Sequence, residues 1–289
     1  MANSAGGNRG RAAPQPRAGR GRDDVQKAGA GRGRPVDRRA GSRSDGPRRS
    51  REEPGTTARV RSGEPASPRM PEPPLPDNVD ITRLERGVRA ELRTLSKINA
   101  EVVAAHLVVA GELVDSDPRR ALEHARAARG RASRVGAVRE AVGVAAYHAE
   151  EWAEALTELR TARRISGDPR TLPLLADCER ALGRPNQALR MLTDPGVDKL
   201  DPETRIELLI VVAGARRDLG QLDAALAVLA RGGLDVNRAR PGSARLWYAY
   251  ADALQAAGRL PEAANWFAAS AALDADGEMD AAERAAALL

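Results

Sequence analysis

The sequence "WYAYADALQAAGRLPEAANWF", residues 247–267, holds five of the seven aromatic residues in a chain of 289. Inside it, Gly258 is followed five residues later by Ala263, and Ala263 four residues later by Phe267. Residues spaced by three and four lie on one face of an α-helix, so this spacing predicts a helix that begins shortly after a glycine turn. Because the spacing recurs elsewhere in the chain, it predicts a repeat.

Four further copies of this pattern precede residues 247–267, and the earlier two lack the glycine. From the C-terminal side, the copies are Gly220, Ala225 and Leu229; Gly183, Ala188 and Leu192; Ala155, Leu159 and Ala162; Ala121, Ala125 and Ala128. The aligned alanines, at 121, 155, 188, 225 and 263, are separated by 34, 33, 37 and 38 residues. Helix-forming residues dominate from residue 80 onward, and β-branched alternation is absent, so we expect an all-α fold without strands.

The repeated spacing has a physical explanation in terms of paired helices. A turn glycine adopts the positive φ that ends a first helix, and a small residue early in the second helix lets the two helices approach closely. The residue four positions later lies on the same face and fills the space between pairs. The predicted pairs are 100–134, 136–168, 170–199, 203–237 and 243–275. A helix over 81–95 with Asp80 as its N-cap, and a second helix within 278–289, are expected to cap the two ends.

This repeat resembles the tetratricopeptide repeat, a helix-turn-helix unit of 34 residues whose pattern begins W-x2-L-G-x2-Y and continues A-x3-F. The residues that carry the resemblance are Trp247, Tyr250, Ala251, Leu254, Ala263 and Phe267, together with Gly143 at a small first-helix position. The match covers roughly residues 100–277, and the final proline of the family pattern is missing from its usual place. The resemblance implies an α-solenoid of about five antiparallel helix pairs.

The resemblance also implies a function, because the first helices of this family line a concave groove that receives extended or helical peptides. Carried over to this chain, the partner-binding candidates are Glu140, Tyr147, Arg170, Asp177, Arg180, Glu207, Arg217, Asp218, Arg245, Tyr248 and Asp252. An ordinary solvated helix face is the alternative interpretation of these residues. The Lys/Asn set that holds a peptide's C-terminal carboxylate is not reproduced, so that ligand is not implied.

The aromatic cluster has two interpretations, a packed core or a stacking surface for a ligand. Trp247, Tyr250 and Phe267 match core positions of the family, so we interpret the cluster as core. Tyr248 does not match, and we expect it to face the groove.

Residues 1–78 differ in composition from the rest of the chain. They contain 12 of the 27 glycines, 11 of the 19 prolines and no aromatic residue. Such a segment buries too little apolar surface to offset the entropy of ordering, so we predict a disordered tail over 1–78 and a helical domain over 79–289. The tail carries a net charge of +8 and the whole chain +6, which leaves −2 for residues 79–289.

The basic tail raises the alternative of nucleic-acid binding. Arg32 and Arg34 lie in an Arg-Gly-Arg-Pro sequence that resembles the core of an AT-hook, and generic contact with a polyanion is the broader form of this hypothesis. A tail that only keeps the protein soluble is the competing interpretation. The 43 arginines against three lysines also fit a GC-rich genome without any functional selection.

Nothing in the sequence predicts catalysis, a metal or a cofactor. His106, His124 and His148 fall in separate predicted helices without a zinc-ligand spacing, so we expect them at helix surfaces. Cys178 is the only cysteine, which excludes a disulfide within one chain and favours a reducing cytoplasm. No apolar run reaches the ~18 residues of a membrane helix. The sequence therefore predicts a non-enzymatic, cytoplasmic adaptor that binds a protein or peptide, leaving the partner's identity and the oligomeric state open.

Overall fold

A computed structural model describes residues 72–289, which fold into twelve α-helices and contain no strand within that range. The tail prediction over residues 1–71, including Arg32 and Arg34, lies outside the described residues. The helices are α1 (Arg86–Leu92), α2 (Lys97–Leu113), α3 (Pro118–Ala132), α4 (Gly136–His148), α5 (Trp152–Ser166), α6 (Leu172–Ala181), α7 (Pro185–Arg190), α8 (Pro202–Asp218), α9 (Leu222–Ala230), α10 (Ser243–Ala256), α11 (Leu260–Ala271) and α12 (Ala281–Ala287).

Ten of these helices form five antiparallel pairs that follow one another in sequence order. The pairs are α2/α3, α4/α5, α6/α7, α8/α9 and α10/α11, and the second helix of each pair also packs on the first helix of the next pair. The expectation of an all-α solenoid of helix pairs is confirmed, and α1 and α12 pack at its two ends.

The predicted glycine turns end the first helices of the last three pairs. Gly183, Gly220 and Gly258 have φ values of 71°, 71° and 75°, in the left-handed region that glycine enters without steric cost. In the α4/α5 pair, which lacks the glycine, Glu150 takes the same conformation with φ 62°. In the α4/α5 pair the turn geometry is therefore kept although its sequence signal is missing.

Small residues lie where the paired helices cross. All five aligned alanines, at positions 121, 155, 188, 225 and 263, are fully buried, with 0% exposure. At Gly143 the approach is closer still, since a Cβ on this residue would lie 2.6 Å from the side chain of Leu159 in α5. The aligned alanines are therefore core residues, as the repeat predicts, and Gly143 shows a close helix approach in the α4/α5 pair.

The aromatic cluster of α10 and α11 is mainly core, as predicted. Trp247 and Phe267 are 2% and 0% exposed. The half-buried ring of Trp266 packs edge-on against Trp247 at 5.8 Å and against Tyr250 at 5.4 Å between centroids. This aromatic bulk fills the last helix pair before α12.

The predicted first helix over 81–95 is divided in the structure. A 3-10 turn over Ile81–Arg83 precedes α1, and the Asp80 carboxylate accepts a hydrogen bond from the Thr82 backbone N–H at 3.0 Å. Asp80 is thus an N-cap as predicted, but of the short turn. Leu84 then takes an extended conformation, which separates the turn from α1.

The second helices of the third and fourth pairs are shorter than the predicted spans to 199 and 237. α7 ends at Arg190, and the Asp194 carboxylate then binds both the Gly196 backbone N–H, at 2.7 Å, and Arg163 of α5, at 2.9 Å. These bonds hold the chain in a turn. α9 ends before two consecutive glycines, the second of which has φ 93°.

The alanine positions yield a stability test. Ala225→Leu adds bulk at a fully buried crossing, so the free energy of unfolding is expected to fall by about 1–3 kcal/mol, the usual scale for overpacking. Ala227→Leu, at an exposed position two residues further along α9, is the matched control and should leave stability nearly unchanged. Urea unfolding followed by circular dichroism measures both. Equal midpoints for Ala225→Leu and the wild type would contradict the assigned helix crossing.

Candidate partner-binding face

The first helices of successive pairs lie side by side and form one face of the molecule. α2 contacts α4, α4 contacts α6, α6 contacts α8, and α8 contacts α10. We call the surface formed by these five helices, with α1 and α12 at its ends, the first-helix face. The partner-binding residues predicted from the sequence belong to these helices, except Arg170, which precedes α6.

In the middle of the first-helix face, four predicted residues form one hydrogen-bonded chain across three helices. The Tyr147 hydroxyl donates to Asp177 Oδ2 at 2.7 Å, and Arg180 donates to Asp177 Oδ1 at 3.0 Å and to Asp218 Oδ2 at 2.6 Å. Gly214 of α8 leaves room for this, because a Cβ there would lie 3.1 Å from Arg180 Cζ. Burial raises the pKa of Tyr147, and the Asp177 carboxylate raises it further.

Two more ion pairs join α8 to α10. Arg245 Nη2 lies 2.9 Å from Glu207 Oε2, and the Arg217 guanidinium pairs with the Asp252 carboxylate. Burial raises the pKa of Glu207, while Arg245 acts in the opposite direction. Predicted residues of opposite sign therefore neutralise one another between neighbouring helices.

Tyr248 belongs to the first-helix face, but α12 covers it. Its hydroxyl donates to Asp280 Oδ1 at 2.6 Å and accepts from Arg284 at 2.8 Å, and the Arg284 guanidinium lies over its ring, 5.2 Å from the centroid. Arg284 also donates to Asp252 at 2.6 Å. Sequence reasoning did not identify Asp280 and Arg284 as part of this face, because only the packing of α12 brings them there.

At the opposite end, α1, α2 and α4 enclose a cleft of about 340 Å³. Glu140 and Arg170 are the two predicted residues that line it. Arg170 is paired with Asp168 at 2.7 Å, whereas Glu140 has no ion-pair partner within 4.0 Å among the described residues. The cleft is therefore the part of the described face where one predicted residue, Glu140, is not paired with an opposite charge.

The placement of the histidines at helix surfaces is wrong for two of them. His106 of α2 and His124 of α3 are each 1% exposed, and their Nδ1 atoms lie 3.0 Å apart. One ring donates and the other accepts, which a neutral pair satisfies. Burial lowers the pKa of both rings. Electrostatic interaction with His124 lowers the pKa of His106 further, and interaction with Arg120 lowers that of His124 further.

Cys178 is a packed core residue. Its side chain is fully buried in α6, and burial raises the pKa of the thiol to about 12. A thiol with this pKa is protonated at neutral pH and unreactive as a nucleophile. Cys178 is therefore a structural residue of the core.

Two further features of residues 72–289 bear on ligand class. No group of three or more His, Cys, Asp or Glu side chains in this range is placed to hold a metal ion. None of the helices there combines the length and apolar character needed to cross a bilayer.

No protein-family model matches this chain, and no curated protein matches it. The geometry of the first-helix face therefore carries the functional argument.

The buried histidine pair predicts how stability depends on pH. In the folded protein the pKa of both rings lies below 6.5, the ordinary value for histidine, so the unfolded chain binds more protons than the folded chain as the pH falls through that value. The free energy of unfolding contributed by the neutral pair is therefore lost in acid. Urea midpoints measured at about pH 7.5 and about pH 5.5 should fall more in the wild type than in His106→Leu/His124→Leu.

His148→Leu is the control for this experiment, because His148 lies on the surface, with 36% of its side chain exposed. It should keep the wild-type pH dependence. The half-buried carboxylates Glu140 and Glu207 are present in the wild type and in the double variant, so their contribution cancels in the comparison. An identical pH dependence in the wild type and the double variant would rule out the histidine pair as the cause.

Proposed function

We propose that this chain is a non-enzymatic interaction scaffold that binds a protein segment along the first-helix face. The observation that carries the proposal is the continuity of this face, which runs from the open cleft at α1 to α12 across every first helix. Extended surfaces of this kind are what stacked helix repeats use for binding. The resemblance to the tetratricopeptide repeat supports the same proposal.

The chemistry of the face also favours binding over catalysis. A general acid, base or nucleophile acts on a shared reaction centre. From α4 to α10 the titratable side chains are matched in pairs between helices, as in Tyr147–Asp177 and Glu207–Arg245, so these groups already have partners within the protein. The proposed setting is cytoplasmic, in keeping with the single buried cysteine.

A second candidate function is favoured by the charge of the sequence. The net charge of +8 over residues 1–78 attracts polyanions whatever its origin. In this alternative, the basic arm, including Arg32 and Arg34, contacts RNA or DNA phosphates while the helical repeats recruit a partner. Nuclease treatment before partner capture distinguishes the two candidates, because only the second predicts that partners are lost with the nucleic acid.

The proposal predicts which surface contacts the partner. A photo-reactive benzophenone side chain placed at exposed Arg170 or Arg245 should cross-link one common protein in cells of the source organism. The same group placed at Arg164 of α5 or Ala227 of α9, both exposed on second helices, should not. Mass spectrometry of the cross-linked bands is the readout. Cross-linking of that protein from the second helices alone would contradict the proposed face.

A further inference from the structure

We propose that the cleft between α1, α2 and α4 binds a cationic peptide segment, with an apolar side chain on its floor and an arginine or lysine at its rim. This inference rests on the proposed function, since it names the chemistry of the partner segment that the first-helix face receives.

The floor of the cleft is apolar. Val88 of α1, Leu107 and Ala110 of α2, and Val144 and Ala145 of α4 line it. Leu107, Ala110 and Ala145 are 5%, 5% and 2% exposed, so the floor is the outer surface of the packed core. Such a surface gains free energy when an apolar side chain displaces water from it.

The rim of the cleft carries an excess of negative charge. Glu85, Glu91 and Glu140 line it, against a single cation, Arg170, which is already paired with Asp168. Burial raises the pKa of Glu140, and the neighbouring Asp168, Glu91 and Glu85 carboxylates raise it further against the lowering effect of Arg170. An added cation at the rim would relieve this repulsion.

One of these carboxylates also has a structural role. Glu91 Oε2 accepts a hydrogen bond from the Ala137 backbone N–H at 3.0 Å, at the N-terminus of α4. The positive end of the helix dipole partly compensates this charge. Glu85 and Glu140 are therefore the carboxylates left to receive a cation.

Elsewhere on the first-helix face, carboxylates are paired with arginines of a neighbouring helix. Between α6 and α8, Arg180 lies between two carboxylates, and between α8 and α10 the pairs Arg245–Glu207 and Arg217–Asp252 match charge for charge. The residues that line the cleft include Glu140 of α4 and a single arginine, Arg170, which is already paired with Asp168. A cationic partner side chain would complete the pattern found elsewhere on the face.

The cleft has open space for this side chain. Gly87 and Gly111 line it, and a Cβ built on either residue meets no atom within 4 Å. A volume of about 340 Å³ is at the lower end for ligand pockets, which suits an anchoring side chain with its immediate neighbours. The remainder of a bound segment would continue along α4 towards α6.

The test uses full-length protein and a fluorescent peptide in which arginine and leucine alternate, with binding measured by anisotropy. Gly111→Leu fills the cleft and should weaken binding about tenfold, equivalent to 1.4 kcal/mol. Gly130→Leu is the matched control, since Gly130 of α3 also has open space around it but lies on a second helix, and it should bind as the wild type does. Gly87→Leu provides a second obstruction from α1.

Folding is monitored separately by thermal unfolding. Leucine has a higher helix propensity than glycine, so Gly111→Leu should not unfold earlier than the wild type. Glu140→Gln keeps the shape of the rim but removes one charge, and it should weaken binding and make it less dependent on salt. A glutamate–leucine peptide and an arginine–serine peptide should both bind more weakly to the cleft than the arginine–leucine peptide.

Several outcomes would overturn this inference. The first is that Gly111→Leu and Gly87→Leu bind the arginine–leucine peptide as tightly as the wild type does. The second is that Gly130→Leu weakens peptide binding as much as Gly111→Leu does. The third is that spermidine binds to the cleft as tightly as the peptide. None of these affects cross-linking from Arg245, on α10 at the other end of the face. Failure of the inference is therefore distinguishable from failure of the proposed function.

Discussion

The close approach of the two helices in each pair is the constraint on which the rest of the structure depends. It favours small residues on the facing helix surfaces, as at the five fully buried alanines and at Gly143, where even a Cβ would lie 2.6 Å from Leu159. Because the pairs recur at similar separation along the chain, the first helix of each pair contacts the first helix of the next. The first-helix face exists because this geometry is repeated, since a bulky residue at one crossing would displace the neighbouring helices.

Electrostatic pairing then determines how much of that face is open. Exposed ion pairs contribute little to stability, but those between successive first helices are partly buried and linked, as in Tyr147–Asp177–Arg180–Asp218. They satisfy the polar groups of the central face and leave few of them for a ligand. At the C-terminal end, Arg284 of α12 likewise satisfies polar groups of the face, by donating hydrogen bonds to Tyr248 and Asp252. The cleft at α1 is the part of the described face where an apolar floor and unmatched carboxylates occur together.

The fold could be predicted from the sequence to the extent that it depends on local, repeated signals. The alanine spacing predicted the helix pairs, and the turn glycines predicted where first helices end. Signals from single residues were less informative. His106 and His124 each resemble a residue on a helix surface, and only the packing of α2 against α3 brings the two rings together. The ends of α7 and α9 depended on side-chain bonds and glycines that a periodic pattern does not contain.

For the binding face, the sequence predicted which helices carry the candidate residues, but it did not predict which side chains contact one another. Periodicity assigned Asp177, Arg180 and Tyr248 to first helices, and they lie there. The pairing of Tyr248 with Asp280 and Arg284, which are 32 and 36 residues away in sequence, follows from the packing of α12 and has no sequence signal. The cleft likewise depends on how α1 packs against α2 and α4, so its lining residues could not be read from any one helix.

A double-mutant cycle between Gly143 and Leu159 tests the helix-approach constraint most directly. Alanine is favoured over glycine inside a helix by about 1 kcal/mol, so Gly143→Ala lowers the free energy of unfolding only if the clash with Leu159 outweighs that preference. We expect a loss of about 1–3 kcal/mol in the wild type, and a much smaller loss or a gain in the Leu159→Ala background, where the clashing side chain is absent. Additive effects, or stabilisation by Gly143→Ala in the wild type, would contradict the account.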